Sequence, residues 1–155
     1  MVAFGYTLMC EQRGPRELVS DAVAAEQAGF DFAVISDHYF PWLDAQGHAP
    51  NAWAVLGAVA TATQRVPLMT YVTCPTLRYH PAVVAQKAAT LQLLADGRFT
   101  LGLGSGESLN EHVVGQGGSG GLLQGGVDDA GLLVCGCFIQ PGHRLCVAGE
   151  EGLDG

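Results

Sequence analysis

Basic residues are scarce in this chain. Seven Lys and Arg stand against fifteen Asp and Glu in 155 residues, a formal net charge of −8. Nucleic acids and anionic membrane surfaces are gripped by clustered Lys and Arg, so this balance argues against both as partners. Long apolar runs are missing as well. No stretch reaches the roughly 20 residues a membrane-spanning helix needs. The N-terminus has neither a basic leader nor a small-residue cleavage site, and Glu11, Gln12 and Arg13 interrupt its one apolar start. A disulfide framework is not indicated either, because five cysteines are an odd number and fit free thiols in a reducing compartment better. The expectation is a cytoplasmic protein acting on a small molecule. Hydrophobic residues make up 48% of the chain, enough for the core of one ordinary domain.

The first hundred residues alternate two hydrophobic periods. Short apolar runs at Phe4–Met9, Phe32–Ile35, Val66–Val72 and Phe99–Leu103 read as strands. Between them lie helical stretches. Pro15 opens the first, Leu18, Val19, Ala22, Val23 and Ala25 form its stripe, and Gly29 stops it. The second runs over about Asn51–Thr63. Pro81 opens the third, with Val83, Val84, Ala88, Leu91 and Leu94 as its expected buried stripe and Gly97 as its close. Strands separated by helices imply right-handed crossovers and a parallel sheet. The fold class expected is α/β, either four β/α units of a barrel or a doubly wound open sheet. A boundary is expected at 114/115. Residues 115–155 hold more than half of the glycines and a single cation, Arg144, a composition that favours a loose tail over packed structure.

Two strand ends carry groups that hydrophobic collapse does not require. Ser36-Asp37-His38-Tyr39-Phe40-Pro41-Trp42 follows the second strand, and Gly104-Ser105-Gly106-Glu107-Ser108-Leu109-Asn110-Glu111 follows the fourth. Residues at the C-terminal ends of parallel strands form the catalytic rim of barrel enzymes. An imidazole titrates near neutrality, so His38 is a candidate general base, with Asp37 beside it to tune or orient it. Trp42 reads equally well as a core aromatic. Glu11, just past the first strand, is by itself an ordinary loop carboxylate, and Asn110 is also a plausible helix cap. Gly102, Gly104 and Gly106 follow G-x-G-x-G, which does not meet the dinucleotide pattern; they are expected to let backbone approach a flat cofactor ring. Cys135, Cys137, His143 and Cys146 are four soft ligands, but their spacing is unlike zinc ribbons or fingers, and no metal site is expected.

Several of these segments together carry a resemblance: Phe4-Gly5-Tyr6, Glu11-Gln12, Ser36–Trp42, Gly47-His48-Ala49-Pro50, Thr73-Cys74-Pro75-Thr76, Arg78–Gln86 and Gly104–Glu111. In order and spacing they resemble the luciferase-like oxidoreductase superfamily over about residues 4–115. More narrowly they look like its deazaflavin branch, the relatives of coenzyme F420-dependent glucose-6-phosphate dehydrogenase. The resemblance implies the N-terminal half of a (β/α)8 TIM barrel, in a family whose members are commonly dimers of roughly twice this length or more. It implies hydride transfer between a hydroxyl-bearing substrate and coenzyme F420, with an FMN-dependent monooxygenase of the same superfamily, or a non-catalytic fragment, as the alternatives. In the site it implies, His38 is the base beside the ring, Trp42 packs against the reacting centre, Glu107 is the partner acid, and Glu11 is a charged neighbour or substrate-positioning group. Asp37, Tyr71, Val72, Cys74, Gly106 and Asn110 would contact the cofactor. Tyr71 and Val72 fall where relatives carry a strained bulge or a non-prolyl cis peptide, and Cys74 stands where several have a hydroxyl. The family pattern stops near Gly115–Gly117. From Gly142 the chain, read one nucleotide later with permitted codons, can spell GTAFASPAKKVWT, which resembles the family's next segment, so a frame disruption is expected.

Overall fold

A computed structural model describes residues 2–104. Four strands, β1 (Gly5–Leu8), β2 (Phe32–Ile35), β3 (Leu68–Thr70) and β4 (Phe99–Thr100), form one sheet in the order β1-β2-β3-β4. Every pair is parallel, with Leu8 opposite Ile35, Ile35 opposite Thr70 and Met69 opposite Thr100. Helices α1 (Pro15–Ala28), α2 (Ala52–Ala62), α3 (Pro75–Arg78) and α4 (Pro81–Leu94) make the crossovers. This is the sequential β/α order of a half-barrel, as expected, with β1, β3 and β4 shorter than their apolar runs, β2 spanning its run, and one α-helix more. The tail, its boundary at 114/115 and the Cys135, Cys137, His143 and Cys146 group lie outside the described residues.

Local chemistry explains where the helices start and stop. Pro15 and Pro81 occupy first-turn positions, where a missing N–H leaves no bond unmade. Glu17 accepts from the backbone N–H of Gly14 at 2.9 Å, Asn51 accepts from Ala54 at 3.0 Å, and His80 Nδ1 accepts from Ala82 at 3.2 Å. Gly29 ends α1 with φ +86°, a conformation that suits glycine. The segment 75–78 escaped the sequence reading because a single helical turn is too short to show a period.

The helices cover one face of the sheet. Leu8, Ala33, Ile35, Leu68 and Phe99 point into a core completed by Leu18, Ala22, Leu56, Val59, Ala88 and Leu91. Their alternates Gly5 and Thr7 are exposed, and Met69 and Thr100 are half-buried. Two members of the expected α4 stripe are not in the core. Val83 is 41% and Leu94 45% exposed, while Gln92 is buried and its Oε1 accepts from the Phe99 N–H at 2.9 Å. The buried arc runs through positions 84, 88, 91, 92 and 95, so Val83 and Leu94 fall on its flanks. A polar side chain inside that arc disguised it in the sequence.

Gly102 is required by the sheet. A Cβ there would lie 2.1 Å from the Thr70 carbonyl oxygen. One on Gly104 would lie 2.5 Å from Val72 Cγ2. Gly102 and Gly104 thus let the segment after β4 close on β3, and Gly106, the third glycine expected to admit a cofactor ring, lies outside the described residues.

At the opposite end, residues 63–66 are bonded on both their donors and their acceptors. The Glu26 carboxylate accepts from the N–H groups of Gln64, Arg65 and Val66 at 2.6–3.1 Å. Arg98 donates to the carbonyls of Ala60, Thr63 and Val66 and to Thr63 Oγ1 at 2.8–3.1 Å. Its guanidinium also sits at the negative end of the α2 dipole. Charged hydrogen bonds of this kind are worth about 1.5–3 kcal/mol when lost as a unit. Arg98→Ala is expected to destabilise the chain by about that amount, lowering the thermal midpoint by on the order of 10 °C. Circular dichroism melts would show it, and a shift within error would mean that the 63–66 turn is held by something else.

Candidate active site

The C-terminal ends of β1, β2 and β3 converge on a rim of polar and aromatic side chains. Leaving β1, the chain turns at once, the N–H groups of Gln12 and Arg13 both donating to the Met9 carbonyl. This turn carries Glu11 inward, where it is 4% exposed. Beyond β2, the side chains of Asp37 and His38 find different partners. His38 meets Glu11, with Nδ1 2.5 Å from Oε1. Asp37 is 2% exposed.

The His38–Glu11 contact fixes the tautomer. An ionised carboxylate can only accept, so the proton lies on Nδ1 and points at Glu11. The Trp42 indole N–H reaches the same imidazole, 2.8 Å from Nδ1 and 3.4 Å from Nε2, with ring centroids 5.4 Å apart. Being a donor only, the indole N–H directs its hydrogen at this imidazole. Trp42 is 55% exposed, so its face is presented to the rim and is not core.

The Asp37 carboxylate is engaged by other side chains. Trp53 Nε1 donates to its Oδ2 at 3.0 Å and the Tyr79 hydroxyl to its Oδ1 at 3.3 Å. Arg78 pairs with the same carboxylate at 3.6 Å and also donates to the Asp37 backbone carbonyl. Burial, followed by the negative charge of Asp37, raises the Tyr79 hydroxyl above its ordinary value. The Lys87 ammonium sits 3.8 Å from the Tyr79 ring centroid and caps the cluster from α4. Sequence reasoning gave no role to Arg78, Tyr79 or Trp53. A signal was present: an acid at a buried strand end needs a cation, and the chain has only seven.

The peptide bond between Tyr71 and Val72 is cis, one of the two geometries the resemblance implied there. Both sides of Tyr71 are tied to β2: its N–H donates to Ile35 O at 2.8 Å, and its carbonyl accepts from the Ser36 hydroxyl at 3.2 Å. Cys74 follows, half-buried and outside any disulfide. Glu107, Gly106 and Asn110 lie outside the described residues. The donor set fits a flat heteroaromatic cofactor with polar edges. Trp42 and Tyr71 offer exposed ring surface at the same rim as a half-buried imidazole, and among the described residues no group of His, Cys, Asp and Glu could hold a metal.

Cys10 sits beneath this cluster. Burial first, and then the charges of Glu11 and Asp37, push its thiol up from 9.0 to about 12. It should resist alkylation at pH 8 until the chain is denatured, as mass spectrometry of trapped thiols would report. The sign for stability follows. The folded value lies above the unfolded one, so its contribution is full below pH 9 and is lost as pH rises toward 12. Thermal midpoints should fall across that window and fall less in Cys10→Ala.

The luciferase-like monooxygenase family model matches residues 2–120. An F420-dependent glucose-6-phosphate dehydrogenase from Beutenbergia cavernae is 56% identical over 115 residues, 74% of this chain and 34% of that protein. Among solved structures, an F420-dependent secondary alcohol dehydrogenase with an F420-acetone adduct superposes with a TM-score of 0.70 at 40% identity, over 73% of this chain and 34% of that one. The coenzyme F420-dependent tetrahydromethanopterin reductase of Methanopyrus kandleri gives 0.62 at 30% identity, over 74% of this chain and 30% of that one. The chain thus spans about a third of the length of these relatives. With three-quarters of its residues under the family model and a half-barrel of matching topology, it belongs to the luciferase-like monooxygenase family.

Proposed function

We propose that this chain carries the proton-accepting rim of an F420-dependent oxidoreductase acting on a hydroxyl-bearing small molecule. The observation that carries the reading is the 2.5 Å contact between Glu11 and His38 Nδ1, which pairs an imidazole with a carboxylate at the C-terminal ends of the strands, where a base is needed. Coenzyme F420, when bound, supplies the hydride acceptor. His38 takes the hydroxyl proton on Nε2 as the carbon–hydrogen bond breaks. Glu11 then faces an imidazolium and stabilises it across a short charge-assisted bond. The Trp42 ring face, tilted 44° to the imidazole, adds a second electron-rich surface beside that positive charge.

The relatives support the choice of cofactor and substrate class. Those compared are named for F420, and one holds an adduct of F420 with acetone, the ketone of a secondary alcohol. Glu107 is proposed as the acid that serves the far side of the ring, and Tyr71, Val72, Cys74, Gly106 and Asn110 as cofactor contacts. A homodimer and a cytoplasmic location complete the proposal. Among the described residues no helix is long and apolar enough to cross a membrane.

Titration of the purified chain with F420, followed by cofactor fluorescence, tests the reading. Saturable binding is expected, and Trp42→Ala should weaken it about tenfold, on the order of 1.4 kcal/mol. Preference for FMN in a parallel titration would move the chain to the flavin branch. No binding of either by folded protein would sink the proposal.

A further inference from the structure

We propose that Arg78 is a positioning residue for His38, acting through the peptide that joins Asp37 to His38. The proposal rests on the reading of Glu11, His38 and Trp42 as the reacting cluster. Arg78 is 9% exposed, too enclosed to be a solvated surface cation or to face a substrate. Its guanidinium contacts one residue at two places: one nitrogen bonds the Asp37 carbonyl oxygen, and the other lies 3.6 Å from Oδ1 of the same residue. That carbonyl belongs to the peptide plane whose nitrogen is His38's own. Holding the oxygen fixes the rotation of the plane, and with it the direction in which His38 leaves the backbone toward Glu11. A small rotation there is magnified at the ring tip, where Nδ1 must stay 2.5 Å from the carboxylate.

The residue type matters. A planar guanidinium can span a carbonyl and a carboxylate in one fixed geometry, whereas an ammonium offers a point charge on a flexible stem. The carboxylate has other donors, Trp53 and Tyr79, but among the described residues the carbonyl is held by Arg78 alone. Arg78 ends α3, so the segment after β3 that follows the cis peptide also sets the catalytic loop after β2. Two rim segments are thereby locked to one another at the base.

Long-range 1H–15N spectra of the imidazoles, together with the indole N–H region, read the geometry directly. His38→Asn and Trp42→Phe assign the lines. In the unaltered chain the His38 tautomer protonated on Nδ1 should dominate. Arg78→Lys, which keeps the charge, should mix the tautomers and shift the Trp42 indole N–H while the thermal midpoint stays close to that of the parent. Tyr79→Phe removes a donor from the Asp37 carboxylate and none from the carbonyl, and should leave both signals in place. Arg78→Ala is the second variant: guanidinium ion at a non-denaturing concentration should restore the parent lines, and sodium ion should not. Parent-like His38 and Trp42 lines in folded Arg78→Lys would overturn the proposal. So would a Tyr79→Phe effect as large, or loss of folding in both Arg78 variants, which would make the residue a support of the core alone. The spectra need no cofactor, so failure here and failure to bind F420 are separate results.

Discussion

Asp37 holds a carboxylate at a strand end with 2% exposure, and the rim is organised around what it takes to keep it there. An uncompensated charge in such a place would be expelled or neutralised. Three side chains instead send it a donor: Trp53 from α2, and Arg78 and Tyr79 from the end of α3 and the residue after it. Because the acid sits next to His38 in sequence, satisfying it also aims the imidazole. The chain spends a buried ion pair on geometry, and the product is a His38 ring that faces Glu11.

Close backbone approach is the second constraint on the same region. Gly102 lies against the Thr70 carbonyl, and the Thr70 hydroxyl both accepts from the Gly102 N–H and donates to the Gly102 carbonyl, each at 3.0 Å. Beyond this point Thr73 and Leu103 form a further parallel bridge. The segments leaving β3 and β4 are therefore drawn together beyond the regular strands. That proximity brings Val72 and Cys74 against Gly104 without help from side-chain packing.

The sequence was legible where one residue type has one physical use. Pro15, Gly29 and the run Phe32–Ile35 set the bounds of α1 and β2 to within a residue. The alternation of strands and helices likewise implied the parallel sheet. It was illegible where a position depends on contacts distant in the chain. Asp37 is adjacent to His38, but its carboxylate bonds Trp53 and Tyr79, while Glu11, 27 residues before His38, makes the contact with the imidazole. Nothing local to Gly102 says that the Thr70 oxygen fills the space beside it. In α4, Gln92 broke the apolar stripe because its amide serves Phe99 and Gly97, a demand that hydropathy does not record.

Charge is used differently at the two ends of this sheet. Below the strands, Glu26 and Arg98 bond to backbone groups, supplying acceptors and donors that the 63–66 turn would otherwise seek from water. Glu26 is held below its ordinary carboxylate value: burial acts to raise it, but the N–H groups of Val66, Arg65 and Gln64 outweigh that, with the Arg65 charge adding to them. Its proton is thus kept off by the fold and is of no use in chemistry near neutrality. Above the strands, Glu11 and His38 bond to each other, and neither spends its charge on holding a turn. A proton shared between two side chains can move when a substrate arrives, whereas one excluded by a ring of backbone donors cannot. In a parallel half-barrel this separates the end that must stay fixed from the end that must react.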